Sequence, residues 1–174
     1  ETTDGNFSGY LALQGDILAV SAEHEGVSGA FRRGAVHVYQ RDAGGPNRWG
    51  RVARLVPPVE TPENIFFGQS LALDGDRLAV YNPVPAEIPF DSRRHHLRVY
   101  RRHLGGTDAW GQESALPLLP YPGMGGLMAM KHGRILLGSP ESNWANPWDG
   151  HAGLYELDRG RWVTTTNDTV NAVD

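Results

Sequence analysis

The stretch Phe67-Gly-Gln-Ser-Leu-Ala-Leu-Asp-Gly-Asp-Arg-Leu-Ala-Val80 decides the fold, because near-copies of it recur along the chain. Sixty residues upstream stands Phe7-Ser-Gly-Tyr-Leu-Ala-Leu-Gln-Gly-Asp-Ile-Leu-Ala-Val20, and a weaker copy runs from Gly126 to Pro140 as Gly-Leu-Met-Ala-Met-Lys-His-Gly-Arg-Ile-Leu-Leu-Gly-Ser-Pro. The match continues downstream. Val36-His-Val-Tyr-Gln-Arg41 parallels Leu97-Arg-Val-Tyr-Arg-Arg102, and Gly44-Gly45 with Trp49-Gly50 parallels Gly105-Gly106 with Trp110-Gly111. Leu154-Tyr155 and Trp162 fill those places in the last copy. Residues 1–174 therefore read as one segment with repeats at about 7–56, 67–118 and 126–166 and a tail at 167–174.

Within a repeat the apolar period is two. Leu71, Leu73, Leu78 and Val80 alternate or pair with small and polar residues around Asp74-Gly75, a hairpin signal in which both central turn residues need φ > 0. Gln14-Gly15 and His132-Gly133 take the same place. A third run (Ala35 to Arg41) and a fourth beginning at the Trp complete about four short strands per unit, and no stretch of helical period appears. The chain reads as all-β. A four-stranded antiparallel unit repeated at this length predicts β-propeller blades, with small residues on the innermost strand and large apolar ones farther out. A twelve-stranded sandwich leaves the repeat unexplained.

The chain has 174 residues, 40% apolar and 21% charged, with net charge −4. No apolar run reaches the roughly 18 residues of a membrane span, and a pI near 6.0 argues against a general nucleic-acid binder. Fifteen of its sixteen basic residues are Arg, Lys131 being the exception. Without cysteine there is no disulfide, thiolate nucleophile or Cys-held metal. A chain opening at Glu1 without an apolar leader reads as a processed or excised segment.

Phe67-Gly68, Leu71-Ala-Leu-Asp-Gly-Asp-Arg-Leu-Ala-Val80, Val99-Tyr100, Gly105-Gly106 and Trp110-Gly-Gln112 together resemble a bacterial FG-GAP repeat, a relative of the blades in the integrin α-chain head. The resemblance spans 67–116 strongly, 7–56 well and 126–166 weakly. It implies a β-propeller, an extracellular or cell-surface setting in a bacterium, and binding rather than catalysis. The first unit departs at Phe7-Ser8, and the Gly-Ala-Pro of the family reads Ser21-Ala-Glu23 and Tyr81-Asn-Pro83, with only Gly138-Ser-Pro140 close to it. The loops after the second strands lack alternating oxygen ligands for calcium, so no metal or cofactor is expected.

Three blades fall short of the four to eight of closed propellers. The expected partners are therefore further blades from another chain or a homo-oligomer, beside a protein or glycan ligand. The tail from Thr164 is strand-like in places and suits a next blade or a neighbour's sheet.

Two constellations stand out as ligand-binding candidates. Asn143, Trp144, Asn146, Trp148 and Asp149 bring two indole faces beside amide and carboxylate groups, which suits stacking on a sugar; equally, the two Trp suit a small core under their own loop. Arg32-Arg33 and Arg93-Arg94 fall at equivalent places and suit a carboxylate, sulfate or phosphate; surface carboxylates such as Glu23, Glu25 or Asp91 suit their neutralisation. His95 and His96, being adjacent in a strand, point to opposite faces and do not share an ion with each other. Trp49, Trp110 and Trp162, like Tyr39, Tyr100 and Tyr155, recur once per unit and read as structural anchors.

No nucleophile elbow, phosphate-cradling loop or His-Glu-x-x-His pair is present. The expectation is a non-catalytic adhesion or recognition module with ligands on rim loops. The alternatives are a structural subunit that completes a propeller, and a propeller-based polysaccharide hydrolase or lyase.

Overall fold

The structure, a computed structural model, describes residues 7, 9–26, 33–58, 66–82, 96–117, 127–139 and 151–166. Those residues form twelve strands and no helix. The first blade holds β1 (Leu11–Gln14), β2 (Ile17–Ala22), β3 (Ala35–Gln40) and β4 (Gly50–Leu55). The second holds β5 (Ser70–Asp74), β6 (Arg77–Asn82), β7 (His96–Arg102) and β8 (Trp110–Pro117). The third holds β9 (Met128–Lys131), β10 (Arg134–Ser139), β11 (His151–Asp158) and β12 (Arg161–Thr166). Each blade is an antiparallel meander in chain order. The chain is all-β, three four-stranded sheets of propeller-blade type, and the sheets are not closed into a ring. Thr164–Thr166 end β12 itself rather than starting a new blade; the rest of the tail lies outside the described residues.

The hairpin register is one residue off the Asp74-Gly75 expectation. Asp74 pairs with Arg77 inside the ladder, so Gly75-Asp76 is the turn, and the first blade turns at Gly15-Asp16. Gly75 has φ 62° while Asp76 has no positive φ, the requirement of a II′ hairpin rather than I′. Only the third blade has both central residues positive, His132 at 50° and Gly133 at 71°.

A second shared feature is absent from any sequence pattern. Between the third and fourth strands the register slips at Val38/Tyr39, Val99/Tyr100 and Leu154/Tyr155, the same place in every blade. The ladder skips Val52, Glu113 and Thr165, each an extra residue on the outer strand.

The blades stack through two cores. Ala19, Val36, Val38 and Leu55 of the first blade pack against Leu71, Leu78, Val80 and Tyr100 of the second, with Phe67 between. Ala72, Ala79, Leu97 and Val99 of the second pack against Met130, Ile135, Leu137, Tyr155 and Trp162 of the third. Ala19 and Ala79 on the second strands share these cores with larger residues of their own blades, Leu55 in one and Tyr81 and Leu97 in the other. β5 lies beside both β1 and β9, which makes the first strand of each blade the innermost.

The Phe-Gly pair has a packing reason. Phe67 is fully buried, and Gly68 has φ 98°, with its amide donating to the Tyr81 carbonyl at 3.2 Å. A Cβ on Gly68 would stand 2.9 Å from Val36 Cγ2 and 3.0 Å from Ser21 Cβ, so the chain presses directly onto the first blade there.

Candidate functional site

The meander sorts the connections to two ends. Two-residue turns join β1–β2, β5–β6 and β9–β10 at one end, alongside the Gly-rich turns between third and fourth strands. The ends of β2, β6 and β10 and the starts of β3, β7 and β11 lie at the other, as do the ends of β4 and β8 and the starts of β5 and β9. That end is the rim from which the second strands lead into their connections to the third. Arg32, Arg93, Arg94, Asn143, Trp144, Asn146, Trp148 and Asp149 lie outside the described residues. Arg33 is half-buried, and its Nη2 donates to the Pro58 carbonyl, fastening the start of the first crossover.

Just below that rim the first blade holds a buried ionic cluster. Glu25 and His37 are both about nine-tenths buried or more; the carboxylate meets His37 Nε2 at 2.7 Å and accepts from Arg54 Nε at 2.7 Å. Arg51 lies 3.4 Å from the other His37 nitrogen, and the Phe7 ring sits edge-on to the imidazole at 5.5 Å. Burial pushes the Glu25 carboxyl up, but the hydrogen bonds from His37 and Arg54 outweigh it and hold it below the ordinary range. Glu25 is thus not the surface carboxylate that its loop position suggests: it is spent on His37 and Arg54, because burial requires a charge to be matched. The cluster was missed because its members are far apart in sequence. The register that faces His37 to Arg54 across β3 and β4 brings two of them together.

His37, Arg98 and Gly153 are equivalent positions. Arg98 is buried, donates to Gln112 at 3.1 Å, and has its guanidinium pKa lowered by that burial against the pull of Tyr100. Burial pushes the Tyr100 hydroxyl up to about 12.

At the opposite end a second network ties the blades. Arg77 grips the Glu113 carboxylate with two nitrogens at 2.9 and 3.1 Å, Arg101 bonds Asp76 at 2.9 Å, and Trp162 donates to Glu113 at 3.2 Å. One bulge residue therefore serves the next blade's Trp, while Val52 and Trp110 both pack against the core between the first two blades. Trp110 and Trp162 anchor blade contacts as the recurrence suggests, whereas Trp49 is 38% exposed with Arg41 over its ring at 5.7 Å. Among the described residues no blade packs on that side of it.

The same is true of the whole face. Leu11 and Leu13 are 65% and 61% exposed, while their counterpart Leu71 is 7% exposed. On the third blade's outer face a groove of about 410 Å³ runs beside Arg134, Glu156, Asp158 and Val163. Among the described residues no group of three His, Asp or Glu side chains is placed to hold a metal, and no helix is long and apolar enough to cross a membrane. Comparison with known protein families and with curated proteins finds no match to the chain.

Proposed function

We propose that this chain is a run of FG-GAP-like propeller blades serving as a non-catalytic recognition module on the outside of a bacterial cell, with a protein or glycan ligand held by the rim loops. The observation that supports this reading is the sorting of connections. The first and second strands are joined by two-residue turns at one end, while the second strands lead from the other end into the longer connections whose sequences include 143–149 and both Arg pairs. A rigid scaffold with variable loops at one end is the usual arrangement of a binding surface. Of the polar clusters in the described region, one is buried within the first blade and the other joins the second blade to the third, which accords with a scaffold.

A glycan and polyanion array tests this. Wild type binds at least one ligand class, and Trp144→Ala or the pair Arg93→Ala and Arg94→Ala weakens it about tenfold or more. Turnover of a polysaccharide, or binding untouched by these substitutions, overturns the reading. The uncovered face of the first blade favours a second reading, a structural subunit whose blades complete a larger ring. In that case the rim loops bind nothing once the ring is assembled.

A further inference from the structure

Blade contacts inside the chain show what each open end lacks. Where the first and second blades meet, Arg102 donates to Gln40 at 3.0 Å, and the Gln14 side chain accepts from the amide of Gly75 in the neighbouring turn at 2.6 Å. The strand registers place Arg41 where Arg102 stands, Glu156 where Gln40 stands, Lys131 where Gln14 stands, and the Gly15-Asp16 turn where Gly75-Asp76 stands.

Laying the first blade's open face on the third blade's open face by the same rule sets Arg41 against Glu156 and brings Lys131 beside the Gly15-Asp16 turn. The Arg102–Gln40 contact of the internal interface thereby becomes a pair of opposite charges, Arg41 and Glu156. At present Arg41 bonds Asp16 at 3.1 Å and Glu156 accepts from Arg134 at 2.5 Å, both at the surface. Both faces also leave apolar side chains bare. Leu11 and Leu13 are exposed at one end, and Leu136 is 50% exposed at the other, where Ala19 and Ala79 sit in the covered blades.

We infer that the occupant of each open face is a second copy of this chain, the first blade of one copy packing on the third blade of the other. The two equivalent contacts close a two-fold ring of six blades, within the range of closed propellers. This inference concerns the ring's assembly and stands whether or not the rim binds a glycan.

Native mass spectrometry with light scattering at micromolar concentrations tests it. Wild type has twice the 19.1 kDa of one chain. Arg41→Glu and Glu156→Arg each set like charges together at both contacts and weaken dimerisation on the order of a hundredfold. Because each contact takes Arg41 from one copy and Glu156 from the other, mixing the two single variants restores a heterodimer: one contact is wild type and the other has its charges exchanged. Both substitutions are at the surface, and circular dichroism of each variant confirms that it folds. A folded wild-type monomer at about 100 μM, variants that dimerise as wild type does, or a mixture that forms no heterodimer each overturn the inference. So does a ring recovered only with a different polypeptide that supplies the missing blades.

Discussion

Trp162 on β12 donates its indole N–H to the Glu113 carboxylate on β8 at 3.2 Å, across the boundary between the second and third blades. Glu113 is also held by two nitrogens of Arg77, so one largely buried carboxylate joins two strands of its own blade to the outer strand of the next. The bulge supplies the reach, since Glu113 is the residue that the β7–β8 ladder skips.

Glu113→Gln keeps the shape but removes the charge that Arg77 and Trp162 share. The expected cost is about 1–3 kcal/mol, below that of breaking a fully buried pair because Arg77 retains some solvent. Trp162→Phe keeps most of the apolar contact and loses only the donor, costing about 1 kcal/mol. Urea unfolding of the two single variants and the double variant checks this. The double should cost less than the sum of the singles, because Glu113→Gln weakens the same hydrogen bond that Trp162→Phe removes.

Acid should loosen the blades. Glu113, Asp76 and Glu25 all have their carboxyl pKa lowered in the folded chain. In each case burial pushes upward and is outweighed by hydrogen bonds: from Arg77 and Trp162 to Glu113, from Arg101 to Asp76, and from His37 and Arg54 to Glu25. A carboxylate with a lowered folded pKa adds stability that is complete above its unfolded value, about 4. That stability is lost as pH falls through the folded value. The urea midpoint should therefore stay level near neutrality and drop below about pH 4, and the drop should be smaller in the Glu25→Gln, Glu113→Gln double variant. An equal acid response in that variant would place the acid-labile groups elsewhere.

The fold was legible because its signals are local and repeated. Alternating Leu and Ala, a Gly at each tight turn and a Trp at each fourth strand all sit within a few residues of one another. What escaped the sequence depends on register. The Asp74-Gly75 pair suggested the turn, yet Asp74 completes the ladder with Arg77, and a shift of one residue decides which side chain faces which blade. The three bulges leave no mark in composition, although they decide that Glu113 meets Trp162. Glu25 looked like a surface acid beside Arg33, and only the packing of β3 and β4 shows that its partners are His37 and Arg54.

Gly68→Ala tests the Phe-Gly pair. At φ 98° an added Cβ is strained whatever the space, and Val36 Cγ2 at 2.9 Å leaves it no room. The expected loss is about 2 kcal/mol or more. Val36→Ala in the same chain should recover part of it by making room, even though Val36→Ala alone is destabilising. Differential scanning calorimetry of the two singles and the double reads the coupling directly. Strictly additive losses would show that the backbone angle alone accounts for the effect.

Leu71 and Leu11 hold equivalent positions, one covered by a neighbouring blade and one bare. Leu71→Ala removes a side chain from the core between the first two blades, where it is 7% exposed, and should cost about 2–5 kcal/mol. Leu11→Ala, at 65% exposure, should change the stability of an isolated chain by no more than about 0.5 kcal/mol. The asymmetry reverses under association. At concentrations where two copies close the ring, Leu11 becomes the covered residue, so Leu11→Ala should weaken the dimer while leaving the dilute chain's unfolding midpoint in place. Denaturation followed at two concentrations about a hundredfold apart separates these effects. A Leu11→Ala penalty present equally at both would mean that this face is already covered within a single chain, and the open-ended arrangement of the blades would then be wrong.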